Sequence, residues 1–152
     1  FSLNNITGFP EETRELALDT IELNRQIDFD NANIYSFVPF HGTPLRKLCE
    51  KQGLISKDTI ARALTDRPML EMPQYPVEEI EGIKKCFILY VKFPKSRWRE
   101  IRKAEVNTTE GNRIFKALKE EFMEKYFTQP KDNQHAQFPA TADLEYGVSS
   151  LS

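Results

Sequence analysis

One stretch near the start of the chain constrains the fold more than any other: a strand, a helix and a second strand joined by short connections. Leu3 to Thr7 carries Leu3 and Ile6 and stops at Gly8, which reads as the end of a strand. Gly8-Phe9-Pro10 is a turn. Pro10 suits the first turn of a helix, where its missing N–H costs nothing, and Glu11 and Glu12 would then sit at the positive end of the helix dipole. The helix is expected to run to about Ile27, with Leu16, Ile21, Leu23 and Ile27 as a broad apolar face and Ala17 beside Leu16. Arg14, Glu15, Asp19, Glu22 and Arg25 largely face elsewhere. Asn33 to Val38 is rich in aromatic and branched residues and reads as a strand that Pro39 ends. Strand, helix and strand with short loops make a βαβ unit, hence parallel pairing with a right-handed crossover. Parallel sheets are nearly always buried on both faces and contain more than two strands. Nothing after Val38 repeats the strand–helix pattern, so the rest of the sheet is expected N-terminal to Phe1, and the chain is expected to be a fragment.

Beyond this unit the pattern turns helical. Thr43 is an N-cap type and Pro44 fits the first helical position. That helix would pass Leu45, Leu48 and Cys49 and end at Gly53. Ser56 can cap a further short helix to about Leu64. Residues 65–76 hold three prolines and read as an extended loop. Val77, Ile80, Ile83, Phe87 and Val91 recur at helical spacing, although Cys86 to Val91 by itself also suits a strand. Pro94 stops it. Trp98, Ile101 and Ala104 indicate a short helix, and Thr108 or Thr109 can cap a last one with the stripe Ile114, Phe115, Leu118, Phe122 and Tyr126. Such stripes mark packed faces rather than cofactor sites. From residue 128 periodicity fails, and 128–152 is expected to be a flexible tail, with His135 solvated. The expected organisation is therefore 1–53 for the strand–helix–strand part and its following helix, 54–127 for a helical extension, and 128–152 for the tail.

Composition excludes some functions. The chain of 152 residues carries a net charge of −2, which gives no reason to expect a nucleic-acid partner. No apolar run approaches the roughly 20 residues that span a bilayer, so no membrane partner is expected. The two cysteines, Cys49 and Cys86, lie far apart and in no metal-binding spacing. The sequons at Asn5 and Asn107 stand without a signal peptide or disulfide framework and read as chance matches, and a cytoplasmic location is expected.

Sites in parallel sheets form at the C-terminal ends of strands. Two such ends are visible: Ile6-Thr7-Gly8-Phe9-Pro10-Glu11-Glu12-Thr13, and Phe37-Val38-Pro39-Phe40-His41-Gly42-Thr43-Pro44-Leu45. Gly8 would let a ligand approach the backbone closely. Glu11 and Glu12 would repel a phosphate, so a neutral or cationic group suits the place better. A plain turn with dipole-complementing acids remains the alternative. His41 lies just past a strand end, where an acid, base or ligand-binding group could sit. A loop histidine bonding locally is the equal alternative. No Ser-His-Asp order, metal cluster or complete phosphate loop is present.

At these strand ends the chain resembles the radical S-adenosylmethionine (SAM) enzymes, whose fifth barrel strand ends in a Gly-x-Ile-x-Gly-x-x-Glu pattern that supports the adenine of SAM. The matching residues are Ile6, Gly8 and Glu11, while Asn4 stands where the first Gly would be. The strings Gly8 to Glu15, Asp19 to Arg25 and Phe37 to Leu45 look like the subfamily with an N-terminal cobalamin-binding domain. Phe87 to Pro94, then Ala104-Glu105, resemble its C-terminal region, so that the likeness covers most of residues 3–127 in family order. The resemblance implies an α/β fold: the C-terminal part of a partial (β/α)6 radical SAM barrel followed by a mainly helical extension. It implies a parent enzyme, an iron–sulfur oxidoreductase or methyltransferase, using SAM, a [4Fe–4S] cluster and, in that subfamily, cobalamin. The cluster would be held by a Cys-x3-Cys-x2-Cys loop at the first strand's end, which this chain lacks. Ile6 and Gly8 would help line the adenine site, Glu11 would orient the turn, Val38 and Pro39 would bring backbone near the adenine, and His41 could face SAM or substrate. The fragment alone would be inactive and hold no cofactor. Its partners would be the missing N-terminal barrel and cobalamin domain, and exposed edges would favour a homodimer of the fragment. The rival reading is a non-catalytic helical interaction module, residues 54–127 docking a partner. A small independent enzyme using His41 and Glu11 is a third, disfavoured because two strands leave no closed pocket.

Overall fold

A computed structural model describes residues 1–127. The tail expected over 128–152, with His135, lies outside the described residues.

Strands β1 (Ser2–Thr7) and β2 (Asn31–Ser36) pair in parallel, from Ser2 opposite Asn31 to Thr7 opposite Ser36. Helix α1 (Arg14–Arg25) crosses between them, as the sequence pattern requires. The strand ends earlier than expected, at Ser36, yet the Phe37 amide still donates to the Thr7 carbonyl at 2.8 Å before the chain turns away. The start of α1 corrects the sequence reading more substantially. Pro10 is not the first helical residue, because Glu11 takes a left-handed conformation, φ 68°, that no helix accommodates. Thr13 is the N-cap instead, its hydroxyl accepting from the Leu16 amide at 3.4 Å. The buried side of α1 is also different from the one expected: Arg14, Ala17, Ile21 and Asn24 face inward, whereas Leu16 and Leu23 are 51% and 58% exposed.

Helix α2 (Pro44–Lys51) follows the sequence closely. Thr43 accepts from the Arg46 amide at 3.3 Å, Pro44 opens the first turn, and Gly53 sits just past the end with φ 71°. The short helix expected from Ser56 to Leu64 does not form. The Arg46 guanidinium draws in the carbonyls of Lys57 and Thr59 at 3.1 and 2.8 Å, so they serve a side chain rather than a helical ladder.

Helix α3 (Val77–Lys92) is continuous, so Cys86 to Val91 is helix interior and not a strand. It packs against α1, β2, α4 and α5, and its second half, Cys86 to Val91, is buried all round for that reason. The Arg25 guanidinium satisfies its end, donating to the carbonyls of Tyr90, Val91 and Phe93 at 2.7, 2.9 and 2.6 Å. A 3-10 turn (Lys95–Arg97) leads into α4 (Trp98–Glu105) and then α5 (Thr109–Phe127). One core joins the two halves of the chain: Ile21 and Ile34 belong to the same buried cluster as Ile80, Phe87, Ile101 and Leu118. On α5, Phe115, Leu118 and Phe122 are buried, while Tyr126 is nearly half exposed and donates to the Lys92 carbonyl at 3.1 Å.

The sheet is covered on one side. Ala32, Ile34 and Ser36 of β2, with Thr7 of β1, are buried under the helices. On the opposite face Asn4 is exposed, Ile6 is 42% exposed, and Asn33 and Tyr35 are partly so.

Candidate functional site

The two strand ends lie side by side. Phe37 bonds the Thr7 carbonyl, and the rings of Phe9 and Phe37 meet with centroids 5.0 Å apart. This brings Gly8 beside Val38 and Pro39, both of which are buried. Gly8 has φ 88°, a conformation open to glycine, and an added Cβ would already touch Ile80 Cδ1 at 3.4 Å.

The carboxylate that holds this turn belongs to Glu12, not Glu11. Glu12 Oε2 accepts from the amide of Gly8, from the amide of Phe9 at 3.1 Å and from the Thr7 hydroxyl at 3.1 Å. Burial raises the Glu12 carboxyl above the ordinary carboxylate range, and these three donors hold it down in part. Both amides of the turn are thus already engaged by a carboxylate, so an anion has no donors to meet there. The Thr7 hydroxyl also lies 3.2 Å from the phenol of fully buried Tyr75. Burial pushes that phenol far up, and it stays a neutral hydrogen-bonding group.

Glu11 points elsewhere. Its exposed carboxylate accepts from Gln52 at 2.7 Å, which ties the end of α2 back to the first strand end. Arg46 reinforces the second strand end by donating to the Pro39 carbonyl at 2.9 Å. Phe40, His41 and Gly42 form an exposed loop, with Gly42 at φ 83° and the Thr43 hydroxyl donating to the Phe40 carbonyl at 2.8 Å. His41 is not brought into contact with the Gly8 turn by any hydrogen bond. Ile6 stands opposite Tyr35 in the sheet, on the open face.

A buried lysine completes the β2 end. Lys84, 4% exposed, donates from Nζ to Ser36 Oγ at 2.7 Å, and Ser36 Oγ donates to the Asp66 carbonyl at 3.2 Å. Burial pushes the Lys84 ammonium below its usual range.

Sequence reasoning missed Glu12, Tyr75 and Lys84. Glu12 had a signal: Thr13 is a strong N-cap type, which puts Glu12 outside the helix and free to reach back. Lys84 had one too, as the only charge in the stripe Ile80, Lys84, Phe87, Val91. Tyr75 had none, since it meets Thr7 from 68 residues away.

Both cysteines are fully buried free thiols. Among the described residues no group of three or more His, Cys, Asp and Glu is placed to hold a metal ion, so this donor set does not fit an iron–sulfur cluster. None of the described helices is long and apolar enough to cross a membrane.

No family model matches the chain, and no solved structure matches it significantly. Curated proteins do. Over 63 residues, 41% of this chain, it is 38% identical to the tRNA-2-methylthio-N(6)-dimethylallyladenosine synthase of Halalkalibacterium halodurans. Over 77 residues, 51% of the chain, it is 32% identical to the enzyme of that name from Bacillus velezensis. Over 97 residues, 63% of the chain, it is 28% identical to an uncharacterised methyltransferase of Pyrococcus horikoshii. These stretches span 12%, 15% and 21% of the relatives' own lengths. At a coarse level they support the relation to radical SAM enzymes drawn from the motifs around Gly8 and Gly42.

Proposed function

We propose that this chain is the C-terminal part of a radical SAM barrel, with β1 and β2 as its last two strands, and that it helps to hold the adenine of SAM in the parent enzyme. The observation that carries this reading is a parallel sheet covered on one face only. Helices bury Thr7, Ile34 and Ser36, while Asn4 and Ile6 stand exposed on the other side. Parallel sheets are stable when both faces are covered. A barrel covers the second face with its own interior, and its site lies at the C-terminal strand ends.

Those ends carry suitable groups. Ile6 offers an apolar surface on the open face. Gly8 makes the turn, at φ 88° and packed under Ile80, and Glu12 keeps that turn fixed. Arg46 fixes the Pro39 carbonyl, which leaves Val38 and Pro39 as a rigid edge. His41, in the loop beyond, would face SAM or substrate. The [4Fe–4S] cluster would be held by residues outside this chain, whose two cysteines are buried. Together SAM and the cluster supply radical chemistry in such enzymes, and the residues here would orient the nucleoside and exclude water. The finer likeness to the cobalamin-binding subfamily adds cobalamin as a second cofactor of the parent. The synthases named for a modified tRNA adenosine point to methyl or methylthio transfer as the parent's class of reaction. By itself the chain would be inactive.

Equilibrium SAM binding to a parent-length protein tests this. Gly8→Val and Ile6→Glu should each weaken SAM at least tenfold, with circular dichroism confirming the fold. Ile6→Glu is the cleaner probe because Ile6 is surface-exposed in this chain. Wild-type affinity in both variants would overturn the reading, as would a [4Fe–4S] absorption band from the isolated chain after reconstitution with iron and sulfide.

A further inference from the structure

Thr7 is where the two halves of the strand-end surface meet. Its carbonyl accepts from the Phe37 amide at 2.8 Å, which joins the end of β1 to the end of β2. Its hydroxyl donates to Glu12 Oε2 at 3.1 Å, and that same oxygen holds the amides of Gly8 and Phe9. Chemistry fixes the direction of the Thr7 bond: an ionised carboxylate only accepts, so the Thr7 proton is spent on Glu12. The phenol of Tyr75, 3.2 Å from Thr7 Oγ1, must then be the donor. The three side chains form one ordered relay, from Tyr75 to Thr7 to Glu12.

Tyr75 comes from the connection between α2 and α3, which enters the core at this point. Leu70, Met72 and Tyr75 are all buried, and the Tyr75 amide closes a turn on the Met72 carbonyl at 3.1 Å. The neighbouring Gln74 donates to the Glu12 carbonyl at 3.4 Å, and Ile80 of α3 lies under Gly8. A phenylalanine would fill the same space. A buried hydroxyl costs stability unless it is bonded, and the bond that Tyr75 makes is to Thr7. Besides Glu12, the charges acting on the phenol are Arg14 and Glu105, which are bound to each other.

We infer that Tyr75 is a positioning residue of the strand-end site: it holds the Thr7 hydroxyl as donor to Glu12, and so keeps the Gly8 turn closed beside Val38 and Pro39, where a nucleoside would lie. The role rests on the barrel reading and adds to it a residue outside both strand ends. Without the phenol, the Thr7 oxygen regains a free lone pair. It can then accept from a protonated Glu12 instead of donating to an ionised one, which favours the neutral carboxyl. A neutral carboxyl holds the Gly8 and Phe9 amides less firmly, because charge-assisted hydrogen bonds are the stronger kind.

Carboxyl NMR titration of Glu12 and amide exchange, both on the chain itself, test the relay. Tyr75→Phe should raise the Glu12 midpoint by about half a pH unit or more. It should also speed exchange of the Gly8 and Phe9 amides at least tenfold relative to those of Ile83 and Phe87. Thr7→Ser keeps the hydroxyl and should leave the midpoint where it is. Thr7→Val should raise it, and adding Tyr75→Phe to Thr7→Val should move it no further, because Tyr75 acts through Thr7. An unmoved midpoint in Tyr75→Phe, or an equal acceleration of all amides, would mark the phenol as packing alone and overturn the role. So would two shifts that simply add. In a parent-length protein Tyr75→Phe should weaken SAM several-fold, with the loss largest between the two Glu12 midpoints. Wild-type affinity there, or a loss independent of pH, would overturn the role as well. A wild-type parent that binds no SAM would remove the barrel reading, while the Glu12 titration of the chain would still decide whether Tyr75 sets the turn.

Discussion

Arg14 and Glu105 face each other through two hydrogen bonds of 2.9 and 2.6 Å, with side chains only 8% and 7% exposed. The pair joins α1 to α4 across α3, and the Tyr90 phenol donates to the same carboxylate. Burial by itself would lower the Arg14 guanidinium, but the bonds and charge of Glu105 more than reverse this and raise it. Removing one partner leaves a buried charge unpaired, which costs about 3–5 kcal/mol. Arg14→Met should therefore destabilise severely in urea unfolding. Arg14→Met with Glu105→Leu should recover most of the loss, because no buried charge is left over. A double variant as unstable as the single would contradict this account.

Gly82 sets the approach of α3 and α4 at the same place. A Cβ there would lie 2.7 Å from Glu105 Cβ. Alanine gains about 1 kcal/mol of helix propensity over glycine, while overpacking costs about 1–3 kcal/mol. Here the contact is with a Cβ fixed to a helix backbone, so the cost should win. Gly82→Ala should lower stability, and it should still do so in a Glu105→Ala background, where that Cβ remains. Stabilisation by Gly82→Ala would show that the two helices part easily.

Glu12 offers a pH signature. Its carboxyl is raised above its ordinary value of 4.5, mainly by burial. The folded protein therefore binds a proton more readily than the unfolded chain. Its contribution to stability is greatest below pH 4.5 and declines as pH rises through the raised value. Glu12→Gln keeps an acceptor without the charge. The stability of wild type relative to Glu12→Gln should thus fall as pH rises from 4.5. Glu12→Ala leaves the Gly8 and Phe9 amides without their partner and should cost about 1–3 kcal/mol below pH 4.5 and less as pH rises. A wild-type advantage over Glu12→Gln that grew with pH would reverse the assignment.

How much of this was legible in sequence depends on how local each feature is. The parallel pair was legible, because short connections around one helical pattern admit little else, and so were the caps Thr43 and Gly53. The start of α1 was misplaced because Pro10 and Thr13 both favour a helix start, and only the left-handed Glu11 decides between them. The turn-holding role was assigned to Glu11 because it matches the Glu of the family pattern, whereas Glu12 fills it. The inward face of α1 was misread because apolar character pointed to Leu16 and Leu23, whereas the chain buries Arg14 and Asn24. Those two are satisfied by Glu105 and Asn5, partners too distant for spacing to reveal.

Among the described residues, Lys84 is the buried charge with the least compensation. Its Nζ meets Ser36 Oγ, and Asp66 and Glu81 act on it only from a distance. Burial lowers its ammonium below 10.5, so the folded state binds its proton less readily than the unfolded chain. The cost is full below the lowered value and disappears as pH rises past 10.5. Lys84→Met fills similar volume without a charge, and replacing buried ionic groups by apolar ones is often neutral or stabilising. The variant should therefore be at least as stable as wild type at neutral pH, and its advantage should shrink as pH rises toward 10.5. The Ser36 hydroxyl keeps the Asp66 carbonyl as a partner at 3.2 Å, so it is not stranded. Urea unfolding of both proteins across this range measures the difference. An advantage for Lys84→Met that widened with pH would mean that the lysine is stabilised as a cation, with Asp66 or Glu81 closer to it than they stand here.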